Sequence, residues 1–388
     1  MKRKILITIL ILSFIAVPVM AACAKEAMIP APAPVPSPSP APAPSPAPVP
    51  SPAPAPAPSP APAPSPAPLA PEQVFNWRSQ IDFGPTSVGF KAWKAAMDNL
   101  SVVTNGRLNI DVQGFGVITS DFTMLDALSA RVLEMAFEPP GFYTSKEPGL
   151  AVLFLVPGVL DRQELNLWMY RFGGNELLAE AYAKYNLHHV GPVTILGAEP
   201  LMSTKSLATL DGLKGLKVRS APGLSTDLFT KLGMSVVNLG PGEIYSALDT
   251  GVVDAVEWIG VQDDWVMGLH EVAEYVLWPS FHTPAATAGP IVNMDAWNEL
   301  PDDLKVAFEW ASLQGVHDLM LSNEAADYRS LKDMVDYGLI HQTSTEADLA
   351  RVEVLGLEVL TEYKSKSPFA AKAVDSLFAF LNVMALRN

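Results

Sequence analysis

The sequence contains a single cysteine, Cys23, in 388 residues. No disulfide can close within the chain, and no thiolate cluster can hold a metal, so stability must come from buried apolar surface. Histidine is scarce too. His188, His189, His270, His282, His317 and His341 form neither HExxH nor another tight ligand spacing, and the adjacent pair His188-His189 reads as structural or exposed. Basic residues are outnumbered, 26 against 41 acidic. Without Lys2, Arg3 and Lys4 the balance is 23 against 41, or −18. That argues against nucleic acid or an anionic membrane as a partner, and any anionic ligand must be caught by a local cluster. The glycines of "GPGEIY" and "RFGGN" build neither GxGxxG nor a phosphate loop, and GxSxG is missing. No nucleophile–base pairing supports an enzyme.

Long apolar runs are also missing beyond the N-terminus. Lys2, Arg3 and Lys4 precede an apolar run from Ile5 to Val19, short for a membrane span of roughly 20 residues. Residues 1–22 therefore read as an export leader. Ala21 and Ala22 bring small residues up to Cys23, which resembles a lipoprotein signal whose thiol is diacylated. Two or more acyl chains anchor stably where one does not. The alternative is an ordinary secretory signal with an incidental cysteine.

What the chain has in excess is proline. It occupies every even position from Pro30 to Pro68. Half the backbone donors are missing there, so residues 23–70 read as an extended polyproline-like spacer. At about 3.1 Å per residue it reaches on the order of 100 Å. Behind Cys23 it would act as a stalk.

Globular composition, 49% hydrophobic and 17% charged, resumes near Pro71. "VFNWRSQIDF", "RLNIDVQGF" and "LEMAFEP" read as strands, alternating with helical "VGFKAWKAAMDNLSVVT" and "DFTMLDALSARV", a βαβαβ signature. The alternation continues through a strand "HHVGPVTILGAEP", a strand "LKGLKVRSAPG", helices closed by Gly233 and Gly251, and a strand "GVVDAVEWIG". From Asp295 onward the periodicity is mostly helical. The expected fold is α/β with two lobes: lobe I from about 71 to 196 with C-terminal returns, lobe II from about 197 to 288, and a helical part from about 295 to 388.

Two features lie at strand ends, where open α/β sheets line their ligand crevice. Arg219 ends "GLKVR" before a turn, and its planar fork matches a carboxylate. A surface arginine or a structural ion pair is the plainer reading. Glu257 sits in an apolar run beside Trp258, and a buried carboxylate needs an arginine, a metal ion or a proton. Pairing with a lysine or arginine is equally open. Phe137 and Glu138 at the end of the third strand, Tyr245, and a wall of Phe281 and His282 are further candidates. Trp168 and Trp297 read as core.

These segments resemble a family. "LKGLKVRSAPG", "LFTKLGMSVVNLGPGEIYSALDTGVVDAVEWIG" and "DDWVMGLHEVAEYVLWPSFH" look like the solute-binding component of tripartite ATP-independent periplasmic (TRAP) transporters, the DctP family. "VPGVLDRQELNLWMY" and "GGNELLAEAY" are similar to its 2-oxo acid branch, typified by pyruvate binding. The likeness runs from about Trp77 to the C-terminal helices. It implies a two-lobed periplasmic-binding-protein-like fold of type II, with mixed sheets and long packing helices. It further implies capture of a small carboxylate, a 2-oxo or 2-hydroxy acid, for ion-driven uptake through membrane permease subunits. Arg219 would pair with the carboxylate, and Glu257 with Trp258 would hold a bridging Na+ or Ca2+. Two positions depart from the branch: Ala198, beside Glu199, stands where a glutamine is expected, and Thr283 where a glutamate is. Some relatives pair through terminal helices, so a homodimer is an expectation here. A same-fold sensor feeding a receptor, or an enzyme acting on an oxo acid, are the alternatives.

Overall fold

The computed structural model describes residues 73–191 and 193–385; the leader, Cys23 and the proline-rich spacer lie outside the described residues. β1 (Phe75–Ile81) starts with alternating buried and exposed residues and ends fully buried. α1 (Val88–Val103) starts where the Ser87 hydroxyl accepts the Gly89 N–H, and it buries Phe90, Trp93, Ala96, Met97 and Leu100 at helical spacing. β2 (Leu108–Gln113), α2 (Met124–Ser129) and β3 (Met135–Glu138) complete a βαβαβ unit in which β1 lies parallel to both β2 and β3. α3 (Gly149–Phe154), α4 (Arg162–Arg171) and α5 (Gly174–Ala183) lead to β4 (Leu187–His189) and β5 (Thr194–Leu196).

The chain then builds a second sheet. Its elements are β6 (Leu201–Ser203), β7 (Lys217–Arg219), α6 (Leu224–Lys231), β8 (Ser235–Val237), α7 (Ile244–Asp249), β9 (Ala255–Glu257), α8 (Val261–Val266) and β10 (Tyr275–Leu277). β11 (Ala286–Asn293) returns to the first sheet, followed by α9 (Met294–Glu299), α10 (Asp302–Tyr337), β12 (Ile340–Gln342), α11 (Glu346–Tyr363) and α12 (Pro368–Ala385). The first sheet runs β2-β1-β3-β11-β4, with β5 also on β11; the second runs β12-β10-β6-β9-β7-β8. Both are mixed. This is the two-lobed α/β architecture.

Some elements differ from the sequence reading. The single strand expected at "HHVGPVTILGAEP" is two, β4 and β5, both paired antiparallel to β11. β11 itself escapes a sequence reading because Gly289 and Pro290 interrupt it, and proline argues against a central strand. Its burial on every residue explains the absence of alternation. β12 interrupts the expected helical tail and pairs parallel to β10. The tail therefore serves both lobes: α11 packs on α6, and α12 on α3 and α5. α12 also corrects the expectation that no later segment is long and apolar enough to span a membrane, since its length and mean hydropathy of 1.2 suffice. Here it buries Phe369, Ala373, Leu377 and Phe380 against the first lobe.

α10 joins the lobes. Its 36 residues make a rod of about 54 Å, packed on α1 in the first lobe and α8 in the second. Gly315 permits the approach to α1: a Cβ there would meet the Ala96 Cβ at 2.8 Å. Asp327 accepts the Gln262 N–H at 2.8 Å, at the start of α8.

Candidate functional site

β7 and β9 are parallel neighbours, so their carboxyl ends emerge side by side and carry Arg219 and Glu257 to the same place. The Arg219 side chain is fully buried. Its Nε donates to the Leu239 carbonyl at 3.0 Å and Nη1 to the Glu257 carbonyl at 2.6 Å. Nη1 also lies 3.7 Å from Glu257 Oε1, and the Trp258 ring lies 5.1 Å from the guanidinium carbon. Nη2 is buried with no hydrogen-bond partner. Two edges of the fork are thus fixed by the fold, and a third donor is left over at a cavity.

That cavity is small, about 20 Å³, enough for about one water. Arg219, Glu257, Trp258 and Glu199 line it on one side; Asp82, Phe142 and Phe154 line it from the first lobe. Phe115, in the loop after β2, meets Trp258 edge-on at 6.5 Å, so the two lobes touch beside the cavity.

The carboxylates do not behave alike. Burial raises the Glu199 carboxyl well above its ordinary range, and the neighbouring Glu257 charge raises it further, so Glu199 holds a proton. Burial pushes Glu257 up as well, but Arg219 and a hydrogen bond from Glu199 outweigh it, and the Ala221 N–H adds to them at 2.5 Å. Glu257 is therefore the ionised member. Burial lowers the Arg219 guanidinium against the pull of Glu257, yet a guanidinium stays charged. Burial brings His282 down to about 4, so it is neutral, and neither ring nitrogen has a partner.

Glu199, Glu257 and His282 offer ligand atoms within 4.8 Å of one another, the spacing of a metal site. Glu199 Oε2 is buried without a partner. Two carboxylates suit a hard cation such as Na+ or Ca2+; the imidazole suits softer ions and would stand beside such an ion as a neighbour. The donor set fits a cation that takes the place of the Glu199 proton. The departures at Ala198 and Thr283 become intelligible. The Ala198 carbonyl is engaged by Trp278 Nε1 at 2.7 Å, and the Thr283 carbonyl accepts the Glu199 N–H at 3.1 Å. Glu199 is thereby turned into the cavity beside the alanine.

The other candidates fall elsewhere. Phe137 is fully buried against Trp93, ring centroids 4.6 Å apart, and belongs to the first-lobe core instead of the cleft. Tyr245 is partly exposed, its hydroxyl 3.3 Å from Glu271 on the surface. Phe281 packs on Phe229 in the second-lobe core, leaving only His282 of that wall near the site. Glu138 is buried on β3 and is not among the residues that line the cavity; neither of its carboxylate oxygens has a hydrogen-bond partner. Trp258 contributes its ring over Arg219, and no side-chain oxygen, so among the described residues Glu199 and His282 stand beside Glu257 at the metal spacing. Trp168 and Trp297 are core, and His188 stacks on Trp297 at 4.2 Å. The residue that sequence reasoning missed is Asp82. The signal was present: an acid directly after β1, in "QIDF", at the carboxyl end of a central parallel strand.

Residues 82–366 match the family model for bacterial extracellular solute-binding proteins, family 7 (DctP). The chain is 29% identical over 306 residues to a monocarboxylate 2-oxoacid-binding periplasmic protein of Nostoc sp., covering 78% of this chain and 83% of that one. It resembles a TRAP periplasmic solute-binding protein from Pseudoalteromonas atlantica solved with sodium and pyruvate, at a TM-score of 0.71 and 26% identity, covering 81% of this chain and 96% of that one. A counterpart from Colwellia psychrerythraea, solved with calcium and pyruvate, gives a TM-score of 0.71 and 26% identity, covering 81% and 97%.

Proposed function

Since this chain belongs to bacterial extracellular solute-binding protein family 7 (DctP), the extracytoplasmic receptors of TRAP transporters, we propose that it captures a small organic carboxylate, a 2-oxo or 2-hydroxy acid, and presents it to membrane permease subunits. The observation that carries the reading is the spare donor of Arg219. Nη2 is buried at the cavity without a partner, while Nε and Nη1 are held by carbonyls. A carboxylate would satisfy it with a charge-assisted hydrogen bond.

Arg219 neutralises the carboxylate, and Phe142, Phe154 and Trp258 exclude water around it. The cavity is too small for a three-carbon acid, so the lobes must part to admit one and close over it. Closure lowers the local dielectric and strengthens the ion pair. The role is capture without turnover, and ligand recovered from the protein is expected unchanged. A thermal-shift panel of 2-oxo, 2-hydroxy, dicarboxylic and amino acids tests the reading. A ligand at 100 times its Kd should add about 2.7 kcal/mol. If no carboxylate moves the midpoint, the reading fails.

Glu199 and Glu257 would hold a Na+ or Ca2+ beside the ligand, where the ion would supply positive charge to the oxo or hydroxy oxygen. Calorimetry with and without chelator, in sodium-free buffer, is expected to show affinity at least about tenfold weaker without the ion. Glu257→Gln should abolish that cation dependence. Affinity independent of cations would remove the ion from the site and leave Arg219 in place.

The anchor is a separate proposal: Cys23 is acylated and the spacer holds the binding region away from the membrane. Wild type should partition with membranes, and Cys23→Ser should appear in the soluble fraction. Equal partitioning of the two would overturn the lipid.

A further inference from the structure

Among the described residues eight carboxylate side chains are buried, Asp82, Asp121, Glu138, Glu199, Glu257, Asp263, Asp264 and Asp327, against one buried guanidinium, Arg219, and no buried lysine. Four are accounted for by their partners. Gln80 donates to Asp121 at 3.0 Å, the Gln262 N–H to Asp327, and Glu199 and Glu257 belong to the Arg219 cluster. Asp82 is different. It is 2% exposed, its Oδ1 has no partner, and it lines the same cavity as Arg219 from the opposite sheet.

Apart from Glu199 Oε2, which belongs to the cation cluster, this cavity is flanked by an unpartnered donor, Arg219 Nη2, and an unpartnered acceptor, Asp82 Oδ1. Each would cost free energy if left buried and unpaired once a ligand excluded water. A plain monocarboxylate answers the first and leaves the second unsatisfied. A metal ion held by acidic and imidazole side chains does not answer the second, because among the described residues the cluster at ligand spacing is Glu199, Glu257 and His282, without Asp82.

From this juxtaposition we infer that Asp82 reads the far end of the ligand: the carboxylate captured at Arg219 carries, at its other end, a protic donor, a hydroxyl or an ammonium, that Asp82 Oδ1 accepts. The inference rests on the carboxylate reading of Arg219 and narrows it to a class. An isostere that ends in a methyl group leaves Asp82 unpaired and is rejected, whereas one with a donor is retained. Asp82 is a specificity-determining residue on the first lobe, so a ligand bound at both ends also holds the two lobes together.

The test uses the purified full chain in detergent and a matched trio with one head group: 2-hydroxybutanoate, 2,4-dihydroxybutanoate and 4-amino-2-hydroxybutanoate. Calorimetry on wild type is expected to favour at least one of the donor-bearing acids over 2-hydroxybutanoate by about tenfold, the value of a buried hydrogen bond that would otherwise be left unmade. The better of the two identifies the donor as hydroxyl or ammonium. Asp82→Asn should narrow the preference to within about threefold, with the donor-bearing acids weakened relative to 2-hydroxybutanoate, and a cooperative thermal transition with the parent's far-ultraviolet circular dichroism shows that the variant is folded. Equal affinity across the trio in wild type overturns the inference alone, and so does a preference that survives Asp82→Asn. If no member of the trio and no 2-oxo acid binds wild type, the carboxylate reading itself falls. Should Asp82→Asn not fold, the wild-type trio decides by itself.

Discussion

Arg219→Ala is expected to abolish carboxylate binding and to lower the unfolding midpoint at the same time. Both effects follow from its position. The guanidinium is the only buried cation among the described residues, and Glu257, also buried, is the ionised acid beside it. Removing one partner of a buried pair leaves the other uncompensated, which costs about 3–5 kcal/mol. Loss of binding alone would therefore be ambiguous, and a double variant separates the two roles. Arg219→Leu combined with Glu257→Gln removes both charges and should regain much of the stability, since apolar replacement of a whole buried pair is often neutral. It should regain no binding. Arg219→Lys keeps the charge but loses the planar fork that reaches Leu239, Glu257 and the cavity together, and is expected to bind at least about 100-fold more weakly. An Arg219→Ala protein that binds as well as its parent would show that the ligand lies elsewhere.

The second large effect is on stability as a function of pH. Burial raises the carboxyls of Asp82, Asp121, Glu138, Glu199, Asp263, Asp264 and Asp327, with Asp263 and Asp327 brought to about 7. A raised group contributes stability that is present below its unfolded value, near 4, and is lost as pH rises through its folded value. Burial lowers three histidines, His188 and His282 to about 4 and His189 to about 3. Those act in the opposite direction, and their contribution is lost as pH falls from about 6.5. Seven carboxyls outnumber three imidazoles, so the folded state holds more protons between about pH 4.5 and 7. Stability must then fall as pH rises, by about 1.4 kcal/mol per unit for each unmatched proton. The ligand-free, chelated protein should melt on the order of 10 °C higher at pH 5 than at pH 8. The difference should persist in high salt, because buried groups are weakly screened. Asp264→Asn should raise the midpoint at pH 8 by removing one such group. A midpoint that is flat or rising from pH 5 to pH 8 would mean that these carboxyls are ionised in the folded protein.

The site was legible in the sequence where chemistry and strand ends coincide. Arg219 stands out because "LKVR" is a short apolar strand ending in a charge, and Glu257 because a carboxylate interrupts "DAVEWIG". Their meeting follows from the parallel pairing of β7 with β9, which no local pattern specifies. Glu199 lay in view beside the departure at Ala198, but its direction depends on the backbone contact with Thr283, far along the chain. Phe137 misled because a strand-end aromatic looks the same in sequence whether it faces a cleft or, as here, Trp93. Tyr245 misled because the helix it opens turns it toward Glu271 and solvent. Among the elements, α1 and α10 were plain from their periodicity. β11 was not, since a strand buried on both faces and broken by Gly-Pro carries no alternation.

The rod of α10 has a consequence for how this chain can change over time. Gly315, seated on α1, and Asp327, at the start of α8, lie twelve positions apart on one unbroken helix. Deleting a single residue between them would rotate one contact face by about 100° relative to the other and draw them about 1.5 Å closer. The Ala96 notch and the Gln262 N–H could not then both be met. Surface loops can absorb insertions and deletions at little cost, but this stretch behaves as a gauge bar whose length in residues fixes the azimuth of one lobe on the other. Length variation is therefore expected in the turns and at the chain ends, and to be forbidden within 315–327.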